Sequence, residues 1–184
     1  DPRPGERVLD AGCGTGAYLR KLHAARATAV GLDLSFGMLR IARRLAPTAG
    51  LLQADLNSAF PIRAGVFDAV ICTLVSEHLT NLHSFFGEVY AALCRGGRFV
   101  FSTFHPELAR SGVEANFERD GVEYRLGAQQ HTMDDYLNHI SDAGFQVLWR
   151  QEYTADAELV CEVPWAKKYL GRPILALIQS ARVV

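Results

Sequence analysis

Val8-Leu9-Asp10-Ala11-Gly12-Cys13-Gly14-Thr15-Gly16 runs from a short apolar segment through an acidic residue into glycines at alternate positions. The apolar run Arg7 to Ala11 reads as a buried strand, and Leu19, Leu22 and His23 recur at helical spacing in the segment Ala17 to Ala25 that follows. Strand, glycine turn and helix in that order form a ligand-binding junction. Glycines reach positive φ and let a ligand lie against the turn and the amides that open the helix. Asp10 narrows the choice of ligand, because a carboxylate at a strand exit favours a cationic neighbour, an ammonium or a sulfonium, over a pyrophosphate.

The same alternation continues outward. Ala29 to Asp33 is a second buried strand, and Ser35 is placed to cap a helix from Phe36 to Leu45 that stops before Pro47. Leu51 to Asp55 reads as a third strand and Phe67 to Thr73 as a fourth, with the near-continuous apolar character of a parallel sheet covered on both faces. A helix from Leu82 to Leu93 is expected to end at Arg95-Gly96-Gly97 in a left-handed cap, before a fifth strand from Arg98 to Phe104. Asp120-Gly121 lies between alternating flanks over Asn116 to Arg125, as in a β-hairpin, and residues 106–130 read as an inserted cap. Thr132 and Asp135 resemble a capping box opening a helix to Ala143, followed by a strand from Phe145 to Glu152, a short helical stretch to Tyr169 and a last strand from Pro173 to Val183. These elements describe one α/β domain over residues 1–184, with ligands expected beyond the carboxyl ends of the strands.

Composition bounds the function. The 184 residues are 49% hydrophobic and 21% charged, the values of an ordinary globular chain, so disorder and fibrous repeats are excluded. Lys and Arg number 19 against 20 Asp and Glu, which leaves no broad basic field for nucleic-acid phosphates. No apolar run approaches the roughly 20 residues that span a bilayer, and no signal-peptide core opens the chain, so a cytoplasmic protein is expected. Cys13, Cys72, Cys94 and Cys161 show no metal-ligand spacing, and no metal site is expected.

Asp33 closes the second strand about 20 residues after the glycine turn, where a carboxylate can accept both hydroxyls of a ribose. Asp55 ends the third strand, where its carboxylate or the Leu56 amide can meet an adenine edge. Three aspartates at three successive strand ends, together with the glycine turn, are a joint pattern that packing alone does not explain.

On these residues the chain resembles the class I S-adenosylmethionine-dependent methyltransferases, in the small-molecule group that includes ubiquinone and menaquinone biosynthesis enzymes. Val8 to Gly16 looks like the family's first motif. Gly31-Leu32-Asp33-Leu34-Ser35 with Met38-Leu39 resembles its ribose step, and Gln53-Ala54-Asp55-Leu56 its adenine step. Phe67-Asp68-Ala69-Val70 with Ser76-Glu77-His78-Leu79 resembles the fourth-strand motif. Leu93-Cys94-Arg95-Gly96-Gly97 resembles the turn before the fifth strand, with Arg95 where the family usually has Pro.

The resemblance implies a Rossmann-like three-layer sandwich, a seven-stranded sheet in the order 3-2-1-4-5-7-6 with the seventh strand antiparallel. It implies S-adenosylmethionine as methyl donor, S-adenosylhomocysteine as product and a small-molecule acceptor, with no nucleic acid or membrane. Asp10, Gly12, Cys13, Gly14, Gly16, Asp33, Leu34, Met38, Asp55, Leu56 and Thr73 are the implied cofactor contacts. His78 and His105, after the fourth and fifth strands, are the candidates for a base that takes a proton from the acceptor. His131, beside a helix start, reads as structural. Phe117, Tyr124, Arg110, Arg119 and Arg125 in the cap are expected either to line an acceptor pocket or to form a solvated face. In related enzymes a leading helical segment precedes the first strand, and here that N-terminal lid is expected to be absent, leaving a more open pocket. Two other readings stay open: a non-catalytic domain that holds S-adenosylmethionine or S-adenosylhomocysteine, and an NAD(P)-dependent oxidoreductase.

Overall fold

A computed structural model describes residues 2–111, 116–125 and 127–183. Nine strands and six α-helices are present among the described residues: β1 (Arg7–Ala11), α1 (Ala17–Ala24), β2 (Thr28–Asp33), α2 (Phe36–Leu45), β3 (Gly50–Gln53), β4 (Phe67–Thr73), α3 (Leu82–Ala92), β5 (Leu93–Phe104), α4 (Pro106–Arg110), β6 (Asn116–Arg119), β7 (Val122–Arg125), α5 (Met133–Asp142), β8 (Phe145–Thr154), α6 (Ala157–Glu162) and β9 (Pro173–Arg182). A 3-10 turn at Ser76–His78 follows β4, and another at Pro164–Tyr169 precedes β9.

Seven strands form one sheet in the order β3-β2-β1-β4-β5-β9-β8. Strands β3 through β5 pair in parallel, and β9 runs antiparallel between β5 and β8. Numbered by their order within this sheet alone, the strands are 3-2-1-4-5-7-6 with the seventh antiparallel, the arrangement that the resemblance implies. β6 and β7 make a separate hairpin through Asp120-Gly121.

Two apolar cores flank the sheet. On one face α1 and α2 place Leu19, Leu22 and Leu39 against Val8, Ala29 and Ala69. On the other, α3 and α5 place Phe85, Phe86, Tyr136 and Ile140 against Val70, Phe99 and Phe101, with the Phe86 and Phe101 rings 5.5 Å apart. Burying each such ring stabilises the fold by about 1.5–3 kcal/mol. Local signals agree with this packing. Ser35 accepts the Met38 amide at the start of α2, and Thr132 and Asp135 form a complete capping box on α5.

Several strand boundaries differ from the sequence reading, two of them at motif residues. β3 ends at Gln53, so Asp55 lies in the turn beyond it. β5 begins at Leu93, because α3 passes straight into extended backbone and Leu93 pairs with Phe67. The register then shifts, and pairing resumes at Arg98 opposite Ala69. Gly96, at φ +73°, therefore serves an irregularity within a strand rather than a helix cap. The side chain of Arg182 closes that end of α3 instead, donating to the carbonyls of Tyr90 (3.0 Å) and Leu93 (2.6 Å).

Candidate active site

β1, β2 and β4 end together at one edge of the sheet, and the glycine turn leaves β1 there. Gly12, Gly14 and Gly16 all have positive φ, at +85°, +52° and +84°. Gly12 meets a tight neighbour, since a Cβ on it would lie 2.4 Å from Cγ2 of Val75. Gly14 faces open space, with nothing within 4 Å of its Cβ position. Gly16 caps α1 without a side-chain hydrogen bond, so the first amides of that helix keep their capacity to meet a ligand.

Asp10 is 1% exposed, and neither carboxylate oxygen has a hydrogen-bond partner. Burial, and then the nearby charge of Asp33, push its pKa up to about 7. A buried carboxylate in this state is relieved by a cation or by hydrogen-bond donors. Asp33 is held differently. Its Oδ2 accepts the Gly14 amide and its Oδ1 the Ser35 amide, both at 2.8 Å, and each oxygen keeps a further lone pair for a ligand. Leu34 and Met38 stand exposed just after it in the chain, an apolar surface beyond the end of β2. Asp55 is exposed, and its Oδ1 accepts both nitrogens of Asn57. Asn57 also accepts from the Thr80 amide and donates to the His78 carbonyl, tying the loop after β3 to the loop after β4.

Leu56 and Cys13 are buried, and Thr73 is partly buried at the end of β4. Burial and the charges of Asp10 and Asp33 push the Cys13 thiol up to about 12, so it packs as an apolar group and is no nucleophile. Asp10, Gly14 and Asp33 are thus directly linked by electrostatics and a hydrogen bond, whereas Asp55 is tied through Asn57 to the loop after β4.

The two candidate histidines have different surroundings. His78 is exposed in the turn after β4. His105 is 6% exposed; its Nδ1 accepts the Glu107 amide at 3.3 Å, and its Nε2 lies 3.4 Å from Oε2 of Glu152. His131 Nε2 is 2.7 Å from the Leu79 carbonyl oxygen, a contact that fixes the proton on that nitrogen.

A polar group that sequence reading passed over adjoins His78. Ser76 donates to Thr103 Oγ1 at 2.6 Å, both hydroxyls are buried, and Tyr136 reaches the same pair from α5. Glu77 stands beside them with a buried, unpartnered Oε2. Ser76-Glu77 lay within the quoted fourth-strand motif, but nothing in the sequence marks Tyr136 or Thr103 as their neighbours. Of the expected cap residues, Arg110 and Tyr124 are exposed, and the side chains of Phe117, Arg119 and Arg125 lie outside the described residues.

A groove of about 500 Å³ lies beside the glycine turn rather than over it, between α2 and β3, with Phe36, Arg40, Arg44, Leu51 and Gln53 on its walls. Among the described residues no cluster of His, Cys, Asp or Glu is arranged to hold a metal ion, and no helix is long and apolar enough to cross a membrane.

Comparison with known proteins places this geometry in context. Residues 9–101 match a family model described as a methyltransferase domain, which covers half of the chain. A demethylmenaquinone methyltransferase of Thermus thermophilus is 39% identical over 107 residues, 55% of this chain and 48% of that protein. An 18S rRNA (guanine-N(7))-methyltransferase of Arabidopsis thaliana is 32% identical over 127 residues, 60% of this chain and 44% of that protein. The chain thus spans less than half the length of these curated relatives. The crystal structure of an S-adenosylmethionine-dependent methyltransferase from Mesorhizobium loti superimposes with a TM-score of 0.82 at 26% identity, covering 99% of this chain and 93% of that one.

Proposed function

Because the chain belongs to the methyltransferase-domain family, among the class I S-adenosylmethionine-dependent methyltransferases, we propose that it transfers a methyl group from S-adenosylmethionine to a small-molecule acceptor. The observation that carries this reading is Asp10, a fully buried carboxylate without a partner, next to a glycine turn open at Gly14. A dinucleotide pyrophosphate beside that carboxylate would add negative charge to an uncompensated negative site, whereas an ammonium or sulfonium relieves it.

In this reading Asp10 faces the cationic part of the donor, Gly12, Cys13, Gly14 and Gly16 shape its bed, and Asp33 accepts the ribose hydroxyls. Leu34 and Met38 pack on the base, whose edge meets Asp55 and Leu56, and Thr73 closes the β4 side. The bound donor supplies a methyl group already activated on sulfur, so the protein's work is alignment and exclusion of water. His78, with its exposed ring, is proposed to face the acceptor, and His105 stands beyond β5 on the same side with both ring nitrogens engaged. The hairpin of β6 and β7 is proposed to cap the acceptor side; residues 112–115 and 126 of the expected cap lie outside the described residues.

Calorimetry and thermal shift with S-adenosylhomocysteine and with NAD test the cofactor. The former is expected to stabilise the protein by about 2.7 kcal/mol at a hundredfold excess over Kd, and NAD by nothing measurable. Stabilisation by NAD alone would overturn the reading. For the acceptor, labelled donor is supplied with a small-metabolite fraction and, separately, with total RNA. Label in the metabolites is expected, and label confined to RNA would overturn the small-molecule assignment.

A further inference from the structure

Glu77, a partly buried residue outside the proposed cofactor contacts, carries a second buried carboxylate oxygen. It sits in the 3-10 turn that leaves β4, and its backbone carbonyl accepts the Gln129 amide at 2.8 Å. Its Oε2 is buried without a hydrogen-bond partner. Groups act on it from each element packed there: Cys72 from β4, Tyr136 from α5 and His78 from its own turn. No lysine or arginine is among them. Cys72 feels both Asp10 and Glu77, so one thiol lies between the unpartnered Asp10 carboxylate from β1 and the Glu77 carboxylate, with its unpartnered Oε2, from the turn after β4.

The polar wall beside Glu77 is already satisfied. Ser76 donates to Thr103, Thr103 donates to the Phe104 carbonyl at 2.9 Å, and Tyr136 is hydrogen-bonded to both side chains. None of these hydroxyls is left to serve the Glu77 oxygen. A buried acceptor without a donor costs about 1–3 kcal/mol, and more when charged, a cost that a bound donor would remove.

We propose that Glu77 receives the proton of the methyl acceptor, which is therefore a hydroxyl, phenol or amine, and that the exposed His78 passes this proton to solvent. The inference rests on the methyltransferase reading. The acceptor's oxygen or nitrogen forms a bond to the methyl carbon as the carbon–sulfur bond breaks, and the electron pair of that bond stays on sulfur. The acceptor's proton moves to the carboxylate, so one sulfonium and one carboxylate become a neutral thioether and a neutral carboxyl. Deprotonation through His78 to water restores the starting state. Burial raises the proton affinity of Glu77 above that of an ordinary carboxylate, while its own backbone amide and His78 oppose this, and a stronger base takes a proton more readily. The Cys72 thiol, pushed far up by burial, cannot take that role.

Glu77→Gln preserves shape and removes the base. S-adenosylhomocysteine is expected to bind the variant within about threefold of wild type, since Glu77 is not among the proposed cofactor contacts. Failure of wild type to bind it sinks the methyltransferase reading itself, while weakened binding in the variant alone puts Glu77 on the cofactor side and overturns the inference. With labelled donor and a small-metabolite fraction, wild-type turnover should rise with pH as Glu77 ionises. The variant should be about 100-fold slower or worse, with that rise abolished. Turnover in the variant close to wild type with the same pH profile overturns the proposal. A third readout is independent of the acceptor: infrared titration of protein labelled with ¹³C-glutamate, which separates Glu77 from Asp10. A glutamate carboxyl band that persists above the ordinary carboxylate range in wild type and is missing from the variant is expected; its absence from wild type overturns the proposal.

Discussion

The carboxylate of Asp33 accepts the backbone amide of Gly14 at 2.8 Å, so the end of β2 holds the turn that leaves β1. Its other oxygen takes the Ser35 amide, which places the start of α2 in the same constellation. One side chain therefore holds the glycine turn and the start of α2, and in the proposed function it also faces the ribose.

Asp33→Ala removes both roles. Each hydrogen bond to a charged group contributes about 1.5–3 kcal/mol, so S-adenosylhomocysteine affinity should fall at least 10-fold by calorimetry. Wild-type affinity in the variant would refute the assignment of Asp33 to the ribose.

Asp10 makes stability depend on pH. Its folded-state pKa is about 7 against an ordinary 3.8, so between those values the native state binds more protons than the unfolded one. Stability of the unliganded protein should therefore be highest below pH 4 with respect to this group and fall as pH rises toward 7, by an amount on the order of a few kcal/mol. Asp10→Asn should remove the decline, matching wild type in acid and exceeding it at neutral pH in urea unfolding. The same variant should bind S-adenosylhomocysteine more weakly.

Gly12 and Gly14 separate packing from binding. Gly12→Ala drives a methyl group to 2.4 Å from Val75 at positive φ and should destabilise the protein by about 2 kcal/mol or more. Trimming the neighbour in Gly12→Ala/Val75→Ala should recover part of the melting temperature that the clash removes. Gly14→Ala meets open space, so it should cost only about 1 kcal/mol of backbone strain yet reduce ligand affinity by crowding the approach. Equal melting temperatures for Gly12→Ala and Gly14→Ala would contradict this division.

Arg98 and Glu6 form a two-pronged ion pair, with N–O distances of 2.9 and 2.8 Å, that joins the entrance of β1 to β5. The Arg98 guanidinium is the main cause that holds the Glu6 carboxyl below its usual range. Stability from this pair is fully present above the ordinary Glu pKa and is lost as pH falls through the lowered one. Glu6→Gln should cost about 1–2 kcal/mol at pH 7, and the difference from wild type should shrink toward zero in acid unfolding curves.

Much of the fold is legible locally. The glycine turn, the Ser35 and Thr132 caps and the Asp-Gly hairpin are short-range devices whose residue types carry their geometry. The antiparallel last strand followed only from resemblance to a family, since an apolar run does not state its direction. The start of β5 was misread because Arg95-Gly96-Gly97 satisfies the local rule for a helix cap. Pairing of Leu93 with Phe67 overrides that rule from 26 residues away.

The sequence by itself determined the order of strands and helices, the glycine turn after Asp10 and the aspartates beyond β2 and β3, because each depends on neighbours a few residues apart. Tertiary structure alone decided that Asp10 is buried without a partner, that Asp33 grips Gly14, and that Tyr136 joins the Ser76–Thr103 pair beside Glu77. Those relationships arise when strands from distant parts of the chain align in register, and desolvation then raises the proton affinities of the Asp10 and Glu77 carboxyls.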